Sequence, residues 1–108
     1  MIKNKFKGVI FDLDGTLLYT LEDMAGSVNQ TLRDFGMPEH TLEAYRLFIG
    51  NGWQELIRKV LPAGTPQKTE TEIFHKSRTH YSRNWGNTTR CYKGIPRLLD
   101  DLVKHHIR

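Results

Sequence analysis

Cysteine is nearly absent from this chain: Cys91 is the single one among 108 residues. No internal disulfide can form, which fits a reducing compartment and excludes the small cross-linked secreted scaffolds. Long apolar runs are missing too, and no stretch approaches the ~20 apolar residues that a bilayer crossing requires. The basic start Met1-Ile2-Lys3-Asn4-Lys5 leads only to the short run Val9-Ile10-Phe11 before two aspartates, which is not the make-up of a secretory signal. The expectation is a soluble, cytoplasmic protein with no membrane partner. Proline is sparse, and Pro38, Pro62, Pro66 and Pro96 punctuate the chain between periodic stretches. Acidic residues are outnumbered, 12 against 16 Lys and Arg, for a formal net charge of +4.

The basic residues gather at Lys3–Lys7, Lys76–Arg90 and Lys104–Arg108. Arg78, Tyr81, Arg83 and Trp85 interleave charge with aromatics, as a nucleic-acid surface does. A solvated helix face with its aromatics turned inward explains the same pattern more simply, and no nucleic-acid partner is expected. A positive field also favours an anionic small substrate. A chain of this length suffices for one modest domain.

Five helices are legible. Thr20 precedes Leu21, Met24, Val28, Leu32 and Phe35, an apolar stripe at three- and four-residue steps, with Asp23 in the capping-box position and Gly36 and Pro38 as the stop. A shorter helix spans Thr41–Phe48, with Leu42, Tyr45 and Phe48 or Ile49 on its buried side. Trp53, Leu56, Ile57, Val60 and Leu61 mark a third, and a polar fourth runs from Gln67 to about Asn84. Gly86–Gly94 reads as irregular, and Pro96 suits the first turn of a last helix carrying Leu98, Leu99, Leu102 and Val103. The histidines form no zinc pattern: His75 and His80 are five apart, and His105 and His106 are adjacent.

The segment Gly8-Val9-Ile10-Phe11-Asp12-Leu13-Asp14-Gly15-Thr16-Leu17-Leu18 is the informative one. Val9–Phe11 predicts a strand buried on both faces, as in a parallel sheet covered by helices. Asp12 and Asp14 then fall at its carboxyl end, where open α/β sheets place ligands. Period-two alternation turns both carboxylates to the same side, where two negative charges call for a proton or a cation. The same Asp-x-Asp-Gly is also an ordinary strand-to-turn junction. The spacing excludes a calcium loop, because Gly15 comes too early and no Glu stands at the twelfth position.

Asp12-Leu13-Asp14-Gly15-Thr16-Leu17 after an apolar strand resembles the first motif of the haloacid dehalogenase-like (HAD) superfamily. Phe48-Ile49-Gly50-Asn51-Gly52 and Tyr92-Lys93-Gly94-Ile95-Pro96 are similar to its phosphoglycolate phosphatase branch. The resemblance implies an α/β fold: a partial Rossmann-type core at 1–16 and 86–108, with an all-helical cap inserted at 17–85. Family members continue with a strand ending in Ser or Thr, a Lys and a further acidic pair. The expectation is therefore the amino-terminal half of a longer enzyme, a predominantly helical fragment with one unsatisfied strand.

The resemblance further implies a Mg²⁺-dependent phosphomonoester hydrolase of a small phosphorylated metabolite. Asp12 is then the nucleophile and Asp14 the acid–base. Asp12 then binds the metal through a side-chain oxygen and Asp14 through its backbone carbonyl, and Gly15 and Thr16 lie against the phosphate. Asn51 and Gly52 are the substrate-facing cap loop by resemblance, and a helix terminator by the residues alone. An acid at position 14 favours phosphate chemistry over dehalogenation. Tyr19 departs from the Asp often found there. The alternatives are a non-catalytic truncated product, pairing as a strand-exchanged homodimer or with a missing carboxy-terminal half, and a phosphomutase using the same acid pair.

Overall fold

The computed structural model describes residues 5–108. The chain is predominantly helical, with α-helices at α1 (Leu21–Asp34), α2 (Leu42–Phe48), α3 (Trp53–Val60), α4 (Gln67–Asn84) and α5 (Ile95–Lys104). Two two-residue strands, β1 (Leu18–Tyr19) and β2 (Arg90–Cys91), pair antiparallel, with Tyr19 opposite Arg90. The backbone divides into two units: Thr20–Thr89, and the described residues up to Tyr19 together with Arg90–Arg108.

The Thr20–Thr89 unit owes its order to a single apolar core. Met24, Ala25, Val28 and Leu32 of α1 meet Tyr45 of α2, Leu56, Ile57 and Val60 of α3, and Ile73 of α4, all buried. The α1 residues follow the three- and four-residue spacing that places them on one face. Ser27, Thr31 and Ser77 are also buried and small. Ser27 and Thr31 return their hydroxyls to backbone carbonyls four residues back, so they cost the core no unsatisfied donor. Trp53 Nε1 donates to Ser77 Oγ at 2.8 Å, and its ring lies 5.1 Å from that of Tyr81. Of the α2 residues expected on its buried side, Tyr45 is buried in the core, whereas Leu42 is 41 % exposed.

The helix ends are set by local chemistry. Thr41 caps α2 by accepting from the Ala44 amide at 3.2 Å. Gly36, with φ 67°, turns α1 off, and the Met37 amide closes onto the Leu32 carbonyl at 2.8 Å. Asn29 binds the linker that follows: its side chain accepts from the His40 amide and the Tyr45 hydroxyl and donates to the His40 carbonyl.

Asp23 differs from the capping-box reading. Thr20 makes no side-chain cap bond and is itself helical in conformation. The Asp23 carboxylate, buried in the first turn of α1, accepts five hydrogen bonds from the amides and hydroxyls of Thr88 and Thr89, at 2.7–3.1 Å. The first turn of α1 and the last two residues of the unit are thereby joined through one charge.

In the other unit, Arg90 lies over the Tyr19 ring at 4.6 Å, and Tyr92 meets the same ring edge-on at 5.9 Å. β2 lies inside the stretch expected to be irregular. The larger correction concerns Val9–Phe11, which forms no strand, and Val9 and Ile10 are exposed. A strand requires backbone partners on its flanks, and the described chain offers this segment one: the Arg108 amide donates to the Lys7 carbonyl, and the Val9 amide to the Arg108 carbonyl. No helix among the described residues is long and apolar enough to cross a membrane.

Two outcomes follow for the helical unit. Ile73→Ala is expected to cost about 2–5 kcal/mol in urea unfolding, because a fully buried side chain leaves a cavity. Burial pushes the Asp23 carboxyl up, but the donors from Thr88 and Thr89 outweigh it and hold the group below its ordinary value. Such a group stabilises the fold fully above its unfolded value, near ~4, and loses that contribution as pH falls through the folded value. Asp23→Asn is expected to lower stability at neutral pH by about 1–3 kcal/mol and to flatten the decline below about pH 4, read from unfolding midpoints across that range.

Candidate active site

The acidic motif folds as one hydrogen-bonded turn. The Leu13 carbonyl accepts from the amides of Thr16, Leu17 and Leu18 at 3.3, 3.1 and 3.0 Å, and the Gly15 amide donates to the Leu18 carbonyl at 2.9 Å. Asp14 forms a single parallel bridge with Leu18, where β1 begins. Gly15 holds φ 78°, and a Cβ there meets nothing within 4 Å. The glycine is required by the left-handed backbone and not by lack of space. The Leu13 amide donates to Asp12 Oδ1 at 3.0 Å, so one carboxylate oxygen is oriented by the main chain.

Asp12, Asp14, Gly15 and Thr16 are thus brought into one turn, and all four are exposed. The sequence placed the two carboxylates at the mouth of a parallel sheet. That surrounding is not formed here, because the segment before them lacks strand neighbours. Thr16 uses its amide on Leu13, which leaves its hydroxyl as the group able to face a phosphate. Asn51 and Gly52 belong to the helical unit. Gly52 is the N-cap of α3 at φ 89°, and its carbonyl accepts from the Leu56 amide at 3.1 Å. Gly50 and Gly52 both have positive φ, so the loop ends one helix and starts the next. Asn51 is exposed.

Among the described residues no group of three or more His, Cys, Asp or Glu is arranged to hold a metal. The donors at Asp12 and Asp14 are nonetheless of the right kind for Mg²⁺. They are hard oxygens, the carboxylate of Asp12 and the main-chain carbonyl of Asp14, and that ion is commonly held by one or two carboxylates with water and substrate phosphate completing the octahedron. The histidines do structural work: His80 Nε2 lies 3.1 Å from Asp34 Oδ2, which Lys76 also approaches at 3.6 Å. The hydrogen bond from His80 is the main reason the Asp34 carboxyl sits below its usual value. Sequence reading missed the Asp23 clamp and the Tyr19–Arg90 pair. The only available signal for the clamp was an acid placed to cap a helix together with two consecutive threonines downstream.

Comparison with known proteins places this turn in a lineage. The family model described as haloacid dehalogenase-like hydrolase matches residues 9–108. A phosphoglycolate phosphatase of Haemophilus influenzae (strain 86-028NP) is 35 % identical over 94 % of this chain and 48 % of its own length. One from Nitrosospira multiformis is 32 % identical over 89 % of this chain and 44 % of its own. The crystal structure described as a predicted phosphoglycolate phosphatase from Haemophilus somnus 129pt superposes with a TM-score of 0.86 at 26 % identity, covering 96 % of this chain and 49 % of that one. A structure from Lactobacillus delbrueckii subsp. bulgaricus gives 0.89 at 20 % identity over 97 % and 53 %, a likeness of fold. The chain spans about half the length of the curated relatives it matches, their amino-terminal part.

Neither Asp12 nor Asp14 takes part in an ion pair among the described residues, and both side chains face solvent. Asp12→Asn and Asp14→Asn are therefore expected to leave thermal unfolding unchanged within ~0.5 kcal/mol. A larger loss measured by calorimetry shows that the carboxylates hold the turn together.

Proposed function

This chain belongs to the haloacid dehalogenase-like hydrolase family, and on that footing we propose that it carries the nucleophile and the acid–base of a phosphomonoester hydrolase. The substrate class we propose is a small phosphorylated metabolite of the phosphoglycolate kind, after the relatives of that description. The observation that carries the reading is the acidic turn itself: two carboxylates one residue apart, exposed, on a backbone fixed by Gly15 and the Leu13 carbonyl.

In this reading an Asp12 carboxylate oxygen forms a bond to phosphorus as the ester oxygen departs, leaving an aspartyl-phosphate. Asp14 gives its proton to the departing alkoxide. It then takes a proton from the water whose oxygen attacks phosphorus, releasing inorganic phosphate and restoring the Asp12 carboxylate. The Leu13 amide, donating to Asp12 Oδ1, supports this assignment by fixing one oxygen and leaving the other to react. Gly15 lets the main chain pass close to the phosphate, and the Thr16 hydroxyl is available to one of its oxygens. Asn51 and Gly52 are proposed to face the organic part of the substrate.

Asp12 and Asp14 are the residues that would hold Mg²⁺. When bound, the ion neutralises phosphate charge and helps keep one carboxyl ionised while its neighbour is protonated. With about half of the relatives' length present, turnover by this chain alone is proposed to be weak or nil.

The test is hydrolysis of p-nitrophenyl phosphate with Mg²⁺. The chain is expected to release phosphate far more slowly than a full-length relative, and Asp12→Asn is expected to abolish what remains. Turnover at the relative's rate overturns the claim of incompleteness. Turnover that survives Asp12→Asn overturns the nucleophile.

A further inference from the structure

We propose that Trp53 is the positioning residue of the Gly50-Asn51-Gly52 loop, with Ser77 of α4 as its anchor. The proposal rests on the reading in which Asn51 and Gly52 face the organic part of the substrate. It deepens that reading by naming what holds them in place.

The loop does little to hold itself. Gly50 and Gly52 stand at φ 130° and 89°, and a Cβ on either meets nothing within 4 Å. Glycines on both sides of Asn51 give this stretch the widest backbone freedom a chain can have. Among the described residues the amides of Gly50, Asn51 and Gly52 and the Asn51 side chain make no hydrogen bond. The loop contributes the Gly52 carbonyl, which accepts from the Leu56 amide.

Trp53 follows directly, as the first residue of α3. Its indole N–H donates to Ser77 Oγ at 2.8 Å, and its ring lies 5.1 Å from that of Tyr81 with the planes 31° apart. Ser77 is fully buried, and its own hydroxyl donates to the Phe74 carbonyl at 2.9 Å. With the proton committed there, the oxygen's lone pairs are left for the indole, so the acceptor is preset and not free to rotate. One directional contact and one broad contact thus fix the indole on α4. All of these residues lie within the Thr20–Thr89 unit.

A packing role asks of Trp53 only apolar surface. Trp53 is half-buried, at the margin of a core whose buried members are other residues. The bond to Ser77 adds what packing does not, a defined direction for the residue from which the loop emerges. A loop ordered before the ligand arrives also removes the entropic cost of ordering it on binding. Loosening at Trp53 therefore weakens binding of the organic part and spares the phosphate end.

The experiment compares the chain with Trp53→Phe, Ser77→Ala and the double variant. Trp53→Phe keeps a ring against Tyr81 and loses the donor, whereas Ser77→Ala loses the acceptor. Amide relaxation measured by NMR reads Asn51 and Gly52 without ligand. Titration with phosphoglycolate and with inorganic phosphate, each with Mg²⁺, reads binding. In the unaltered chain both amides are expected to be as rigid as helix amides, with order parameters near ~0.85, and in each variant to fall toward ~0.6. Phosphoglycolate is expected to shift both amides and to bind each variant about tenfold less tightly, while inorganic phosphate binds all of them alike. Both substitutions break the same bond, so the double variant is expected to match the singles and not to exceed them. Loop amides as ordered in the variants as in the unaltered chain overturn the proposal, and so do effects that add. If Ser77→Ala fails to fold, Trp53→Phe decides alone. A loop that loosens in the variants while phosphoglycolate shifts neither amide of the unaltered chain leaves the anchoring in place and counts against the functional reading instead.

Discussion

A parallel strand cannot satisfy its own backbone: its partners must arrive through a crossover, and each amide without one stays bare. That constraint accounts for the contrast between the two units. Helices close their hydrogen bonds internally, so four of them with complementary apolar faces make a finished core from 70 or so consecutive residues, a length within the usual range for a domain. The other unit holds a segment of strand-like composition, Val9–Phe11, beside which the described residues supply one pairing residue, Arg108. Val9 and Ile10 are exposed for the same reason that the amides of Ile10, Phe11 and Asp12 are unpaired.

What was legible in the sequence follows the same division. The α4 bounds, Gln67 to Asn84, are those expected, and Thr41, Gly36 and Gly52 act at helix ends as their chemistry suggests. These features are local, set by neighbours within a turn or two. The Val9–Phe11 strand was read from composition, which states a preference and supplies no partner. β1 and β2 were missed because two-residue strands carry too few side chains to show any periodicity. Asp23 was assigned to the nearest donor along the chain, and its actual donors lie 65 and 66 residues away.

The candidate site was legible as an order of residues rather than as a shape. Asp12, Asp14, Gly15 and Thr16 do share one turn, and Gly15 does supply the positive φ that such a turn needs. The family match over residues 9–108 accords with the motif that suggested it. The surroundings of the carboxylates were not legible. Desolvation and strand packing depend on elements that the described chain does not bring to them, and both groups remain in water.

The Asp23 clamp distributes evolutionary risk unevenly. Three of its five hydrogen bonds come from main-chain amides of Thr88 and Thr89, and two from their hydroxyls. Nearly any residue keeps an amide, so the donor side can drift a long way before it fails, with proline the main exception. The acceptor side has no such reserve, since a single carboxylate serves every donor. Sequence change around this joint should therefore accumulate at 88 and 89 and be purged at 23, an asymmetry arising from which partner contributes its backbone.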